Sequence, residues 1–151
     1  LRMLCFERCT LHGDLSIIGK LKKLRILSFS GSRIENLPAE LKDLDKLQLL
    51  DIGNCSVLKM IPPNLMSRLT SLEELYVRKS FIEESVEGER KQSQISFLSE
   101  LKHLHQLHVV DLSIPCAEVF PKELFFHKLN DYKIVIGDFK MLLVGDFHMP
   151  D

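Results

Sequence analysis

The sequence predicts an α/β solenoid of about six coils, with short parallel strands on a concave face and loops and short helical turns on a convex face. Two observations predict it. Short apolar alternations such as "LLDIGNC", residues 49 to 55, stop at Gly, Asn and Cys after three or four positions. The same alternation then returns down the chain in a constant frame.

The frame is clearest at Leu44-x-x-Leu47-x-x-Leu50-x-Ile52-x-x-Cys55. It recurs as Leu21-x-x-Leu24-x-x-Leu27-x-Phe29-x-x-Ser32 and as Leu69-x-x-Leu72-x-x-Leu75-x-Val77-x-x-Ser80. Later copies read Leu104-x-x-Leu107-x-x-Val110-x-Leu112 and Phe126-x-x-Leu129-x-x-Tyr132-x-Ile134, and a shortened first copy reads Leu1-x-x-Leu4-x-Phe6-x-x-Cys9-x-Leu11. The residues opening each apolar pair fall at 4, 27, 50, 75, 110 and 132, at intervals of 23, 23, 25, 35 and 22. Four intervals lie within the 20–29 residues of a leucine-rich repeat, whose motif L-x-x-L-x-L-x-x-N/C-x-L the frame matches. The interval of 35 is a normal repeat carrying about ten inserted residues.

Each coil follows from this frame. The two side chains of an L-x-L pair leave a strand on one side and stack on the pairs of the neighbouring coils. The residue at Cys9, Ser32, Cys55 and Ser80 sits where the chain turns inward, and its thiol or hydroxyl can bond loop backbone that would otherwise lack a partner. Leu37-Pro38, Ile61-Pro62 and Phe120-Pro121 follow ten or eleven residues after the strand. Proline there suits irregular backbone, and Leu41, Leu65 and Leu124 then supply one helical turn's worth of packing. The array spans residues 1–138, with an insertion at about 83–94, and residues 139–151 form a tail or the start of a further repeat.

Bulk properties narrow the function. The chain has 151 residues, 45% of them hydrophobic and 27% charged, with a net charge of −1. That is ordinary for a soluble domain with a sizeable core. No polybasic run points to nucleic acid. No apolar run approaches the ~20 residues of a membrane-spanning helix. The opening Leu1-Arg2-Met3-Leu4 already belongs to the strand pattern, so the chain reads as an excised domain. Its four cysteines, Cys5, Cys9, Cys55 and Cys116, lack zinc or disulfide spacing and read as buried, reduced thiols. No cofactor motif and no catalytic constellation is present. His103, His105 and His108 are spaced around Leu104 and Leu107 so that they split across faces, and read as surface histidines.

The units "LKKLRILSFSGSRIENLPAEL" and "LDKLQLLDIGNCSVLKMIPPNLMSRLTSLEELYV" closely resemble the repeats of plant intracellular nucleotide-binding leucine-rich-repeat disease-resistance proteins, most of all the coiled-coil class. The step Cys55, Leu58, Ile61, Pro62 and the stretches "ISFLSELKHLHQL" and "PKELFFHKLNDYKIVIGD" carry the same likeness. The resemblance implies a sensor and autoinhibitory array, cytoplasmic in a parent that is in some cases membrane-associated. Its implied partners are the parent's own nucleotide-binding domain and a pathogen effector or guarded host protein. The G-x-x-x-x-G-K-[ST] motif is missing, so the resemblance brings no ATPase to this chain. Other readings are a substrate-recruiting repeat domain of a ubiquitin-ligase adaptor, which an upstream F-box-like segment would mark, and an extracellular receptor ectodomain. For the ectodomain, Asn54-Cys55-Ser56 is the one glycosylation tripeptide.

Concave surfaces of solenoids commonly bind partners. The candidate contact residues lie between and just after each buried pair: Glu7, Arg8, Ser28, Ser30, Asp51, Asn54, Glu74, Tyr76, Arg78, Lys79, Asp111, Ser113 and Lys133. Tyr76 between Glu74 and Arg78 leads the set, because Tyr and Arg are enriched at hot spots. The insertion at 83–94 holds four acidic and two basic residues and reads as a disordered loop, with a partner contact as the second reading.

Overall fold

The computed structural model describes residues 1–78, 80, 96–114 and 131–136. Its single sheet has six strands in chain order: β1 (Met3–Cys5), β2 (Ile26–Ser28), β3 (Leu49–Asp51), β4 (Glu74–Tyr76), β5 (Val109–Ile114) and β6 (Asp131–Ile136). Every neighbouring pair is parallel. Leu4, Leu27, Leu50, Leu75, Val110 and Tyr132 stand opposite one another across the sheet. These are the six positions that open the apolar pairs. The fold is the expected solenoid.

The strands are three residues long from β1 to β4 because each coil supplies one rung. Leu27, Leu50 and Leu75 are wholly buried, and so are Phe29 and Ile52 at the second position of their pairs. One further ladder bond extends each rung, as when Phe29 N–H donates to Asp51 O at 2.8 Å and Ile52 N–H to Tyr76 O at 2.8 Å. Beyond it the backbone turns through a left-handed residue at the same place in three coils, Arg8, Gly31 and Asn54, with φ of 54°, 71° and 57°. Glycine and asparagine adopt this region readily, whereas arginine does so at a cost.

The L-x-x-L spacing has an equally local cause. Leu24, Leu47, Leu72 and Leu107 each donate a backbone N–H to the Leu three residues earlier. An i→i+3 bond closes a tight turn that places both leucines inward. Before it lie single helical turns: 3₁₀ segments at Ser16–Lys20, Ala39–Asp43 and Leu101–His103, and a four-residue helix α1 (Leu65–Arg68). These stack in chain order on the convex side. Gly19 allows the first two to meet closely, since a Cβ there would lie 2.6 Å from the Glu40 carbonyl oxygen.

The inward-turning residues form a polar seam through this apolar interior. Ser32 Oγ donates to Phe6 O at 2.8 Å and accepts from Cys9 N–H at 3.1 Å. Cys55 Sγ donates to Phe29 O at 3.1 Å, and Ser80 Oγ donates to Ile52 O while accepting from Cys55 N–H at 3.1 Å. Each side chain thus bonds the coil before its own. The expectation that all cysteines are buried fails for two of them: Cys55 is buried, but Cys5 and Cys9 are exposed. Cys9 belongs to the first described coil, so its thiol turns back to its own Glu7 O at 3.4 Å, and Cys5 lies at a sheet position whose side chain faces outward. Cys116, the insertion at 83–94 and the tail at 139–151 lie outside the described residues.

Candidate interaction surface

Outward-facing strand positions form columns across the sheet. The middle column is Cys5, Ser28, Asp51, Tyr76 and Asp111 in register, and Lys133 follows Asp111 in register on β6. Asp51, Tyr76 and Asp111 are therefore consecutive neighbours, about 5 Å apart along the sheet. All three are half-buried. Glu74, beside Tyr76 on β4, accepts a hydrogen bond from the Tyr76 hydroxyl at 2.8 Å. Arg78 Nε lies 3.8 Å from Asp111 Oδ2, joining the turn after β4 to β5, with side chains 30% and 18% exposed. Both anchors restrict rotamers, which lowers the entropy lost when a partner docks.

Asp51 is the unusual group. Its Oδ1 accepts the Gly53 N–H at 2.9 Å. Burial pushes its carboxyl above the ordinary value, the Gly53 bond opposes that shift, and the nearby Glu7 charge adds to it. No ion pair to Asp51 is present among the described residues. Cys55 below the sheet is pushed up to about 11, chiefly by burial, so its thiol stays protonated.

Several residues expected on this surface take other places. Ser28 and Ser113 are buried, each 7% exposed. Ser28 Oγ accepts the Ser30 N–H at 3.2 Å, which holds the short side chain down against the backbone. Ser30 is half-buried. Glu7, Arg8 and Asn54 are exposed, but Arg8 and Asn54 occupy the left-handed turn rather than the strand. Lys79 lies outside the described residues, and Lys133 lies on β6 opposite Asp111. Four residues missed from sequence, Met3, Ile26, Leu49 and Val109, form a second outward column together with Glu74. Four of these five are apolar. Met3 is 54% exposed, and Ile26, Leu49 and Val109 are half-buried. Period-two alternation places them on the open face, one residue ahead of each buried Leu, so the signal was present in the frame. Among the described residues no group of three or more His, Cys, Asp or Glu could hold a metal.

Comparison with known proteins agrees with this geometry. A family model described as a leucine-rich repeat region matches residues 1–131. The chain belongs to the leucine-rich-repeat family. A disease resistance protein of Arabidopsis thaliana is 27% identical over 139 residues, covering 91% of this chain and 14% of that protein. A disease resistance-like protein of the same plant is 39% identical over 59 residues, covering 39% of this chain and 5% of its own length. The chain therefore spans a small part of the curated relatives it matches. An internalin from Listeria monocytogenes shares the fold at TM-score 0.51 and 19% identity, covering 82% of this chain and 32% of its own. The leucine-rich-repeat region of a plant disease-resistance protein, read from the sequence, is the identity these relatives support. Leucine-rich-repeat solenoids are protein-interaction scaffolds. No described helix is long and apolar enough to cross a membrane.

Proposed function

We propose that this chain is the sensor and autoinhibitory array of a plant intracellular nucleotide-binding immune receptor, acting in the cytoplasm by binding without catalysis. Its contact patch is Asp51, Tyr76, Arg78 and Asp111, bordered by Glu7, Arg8, Asn54 and Glu74. We also take Lys79 and Lys133 as contact residues and residue 138 as the end of the array. The partners are the nucleotide-binding domain of the parent and a pathogen effector or guarded host protein. The observation that carries the reading is the in-register row of half-buried Asp51, Tyr76 and Asp111, with Tyr76 and Arg78 held in place by Glu74 and Asp111. Preorganised Tyr and Arg side chains in a concave, partly desolvated setting are the usual composition of a hot spot.

The test uses the full-length parent carrying Tyr76→Ala with Asp51→Asn. The pair leaves the Arg78–Asp111 contact intact, and the amide oxygen introduced by Asp51→Asn can still accept the Gly53 N–H. Loss of a hot spot costs ~2 kcal/mol or more, about thirtyfold in affinity. Pull-down of the nucleotide-binding domain and a leaf cell-death assay read the result. Death without effector identifies the patch as the restraint, and silence towards the cognate effector identifies it as the recognition face. Wild-type behaviour in both assays overturns the reading.

A further inference from the structure

The low net charge of −1 conceals an uneven distribution that becomes visible once the coils are in register. The convex helical turns and the bends that follow them into the strands carry Lys20, Lys23, Lys42, Lys46, Arg68 and Lys102, all exposed. In the repeat frame, Lys20 and Arg68 occupy one column, Lys23 and Lys46 a second, and Lys42 and Lys102 a third. Lys22 joins them and donates to Asp43 O at 3.4 Å across to the next coil. Glu40, Asp43, Asp45 and Glu100 are the carboxylates interleaved with these seven cations, leaving a net positive edge, and none of the seven is ion-paired among the described residues. Stacking of the convex turns in chain order brings residues more than eighty positions apart onto one edge.

We propose that this leading edge docks on an anionic lipid surface. Two observations favour a bilayer over an acidic protein. Six of the seven cations are lysines, which act as point charges and lack the planar fork that selects carboxylates pair by pair. Ile17, 67% exposed, stands three residues before Lys20 and supplies an apolar side chain beside the charges. Lysines near an anionic leaflet each add favourable energy that decays within a Debye length. Docking by this edge leaves the concave patch open to its protein partner.

Flotation of the 151-residue chain with vesicles tests the proposal, since flotation separates bound protein from aggregates. Vesicles of about 30 mol % phosphatidylserine in phosphatidylcholine should carry the protein at roughly 0.05 M salt and release it at roughly 0.3 M. Vesicles of phosphatidylcholine alone should not carry it. Lys42→Gln with Lys46→Gln should weaken binding by about tenfold or more. Arg33→Gln with Lys59→Gln removes the same charge from the opposite edge and should change binding less than about threefold, because salt screens charges lying beyond a Debye length of the bilayer. Circular dichroism confirms that both variants fold. Equal loss in the two variants would reduce the effect to net charge and overturn the proposal. Absence of flotation with the anionic vesicles overturns it as well, and tighter binding to soluble poly-glutamate at equal charge concentration would assign the edge to an acidic protein instead.

Discussion

Single polar atoms hold neighbouring coils in this molecule. Ser80 is fully buried, and its hydroxyl serves Ile52 O and the Cys55 N–H together. Ser80→Ala leaves that N–H without its acceptor, which should cost ~1–3 kcal/mol. Urea unfolding should show a lower midpoint at unchanged slope. Ser32→Ala provides the comparison: its partners at Phe6 and Cys9 are only partly buried, so water can replace the lost bonds and the cost should be smaller. Asp51 gives a second prediction. Its folded carboxyl is raised above 3.8, so on raising the pH the unfolded chain loses that proton first. Stability therefore falls as pH rises through the window above 3.8, and the ionised form remains a cost at neutral pH. Asp51→Asn should raise the melting temperature at neutral pH and lose that advantage below pH 3.8, as measured by parallel thermal melts. The role of Cys55 was legible in the sequence, because a thiol at a fixed offset from the apolar pair has few uses. The burial of Ser28 was not, because its bond to the Ser30 N–H is a matter of rotamer rather than pattern.

At the scale of the element, the strands and turns were readable because their periods differ. Period two marks the rung, and period three marks the i→i+3 turn that precedes it. Leu50 lies between Leu27 and Leu75 with no exposed surface. Leu50→Asp sets a carboxylate in that column, at a cost of several kcal/mol against a whole-domain stability of roughly 5–15. Cooperative thermal unfolding by circular dichroism should disappear, and a wild-type melt would refute the column. The outer surface was harder to read than the inner one. Buried columns repeat the same residue types, whereas in the open column Met3, Ile26, Leu49 and Val109 are joined by a charged Glu74. A mostly apolar column on the open face carries little polar or charged signature to mark it as surface.

The whole molecule is a stack in which each coil covers the next. The first described coil is covered on one side only: Leu1 is 68% exposed, and Leu4, Phe6, Leu11 and Leu21 are partly buried, while Leu24, Leu27, Phe29, Ile34 and Leu44 below them are buried. A fully buried Leu or Phe contributes about 1.5–3 kcal/mol relative to an exposed one, so this open layer is a strong driver of association. In isolation the 151-residue chain should self-associate as its concentration rises. Sedimentation velocity checks this, and a concentrated stable monomer would contradict it. The lysine-bearing edge also belongs to this scale. Its lysines are scattered in sequence and become neighbours only through the register, which is why composition alone pointed away from an anionic partner.

The register between β4 and β5 matches that of the other pairs, with Leu75 opposite Val110, although the two residues are 110 − 75 = 35 positions apart. Leu27 and Leu50 meet in the same way across only 50 − 27 = 23. Pairing thus depends on where the frame resumes and is indifferent to how much chain intervenes. For an evolving gene, the interval after β4 is a docking port for new sequence: segments can be gained, traded or trimmed there without disturbing the lattice of leucines on either side. Novelty can accumulate at that address while the scaffold's grammar stays constant.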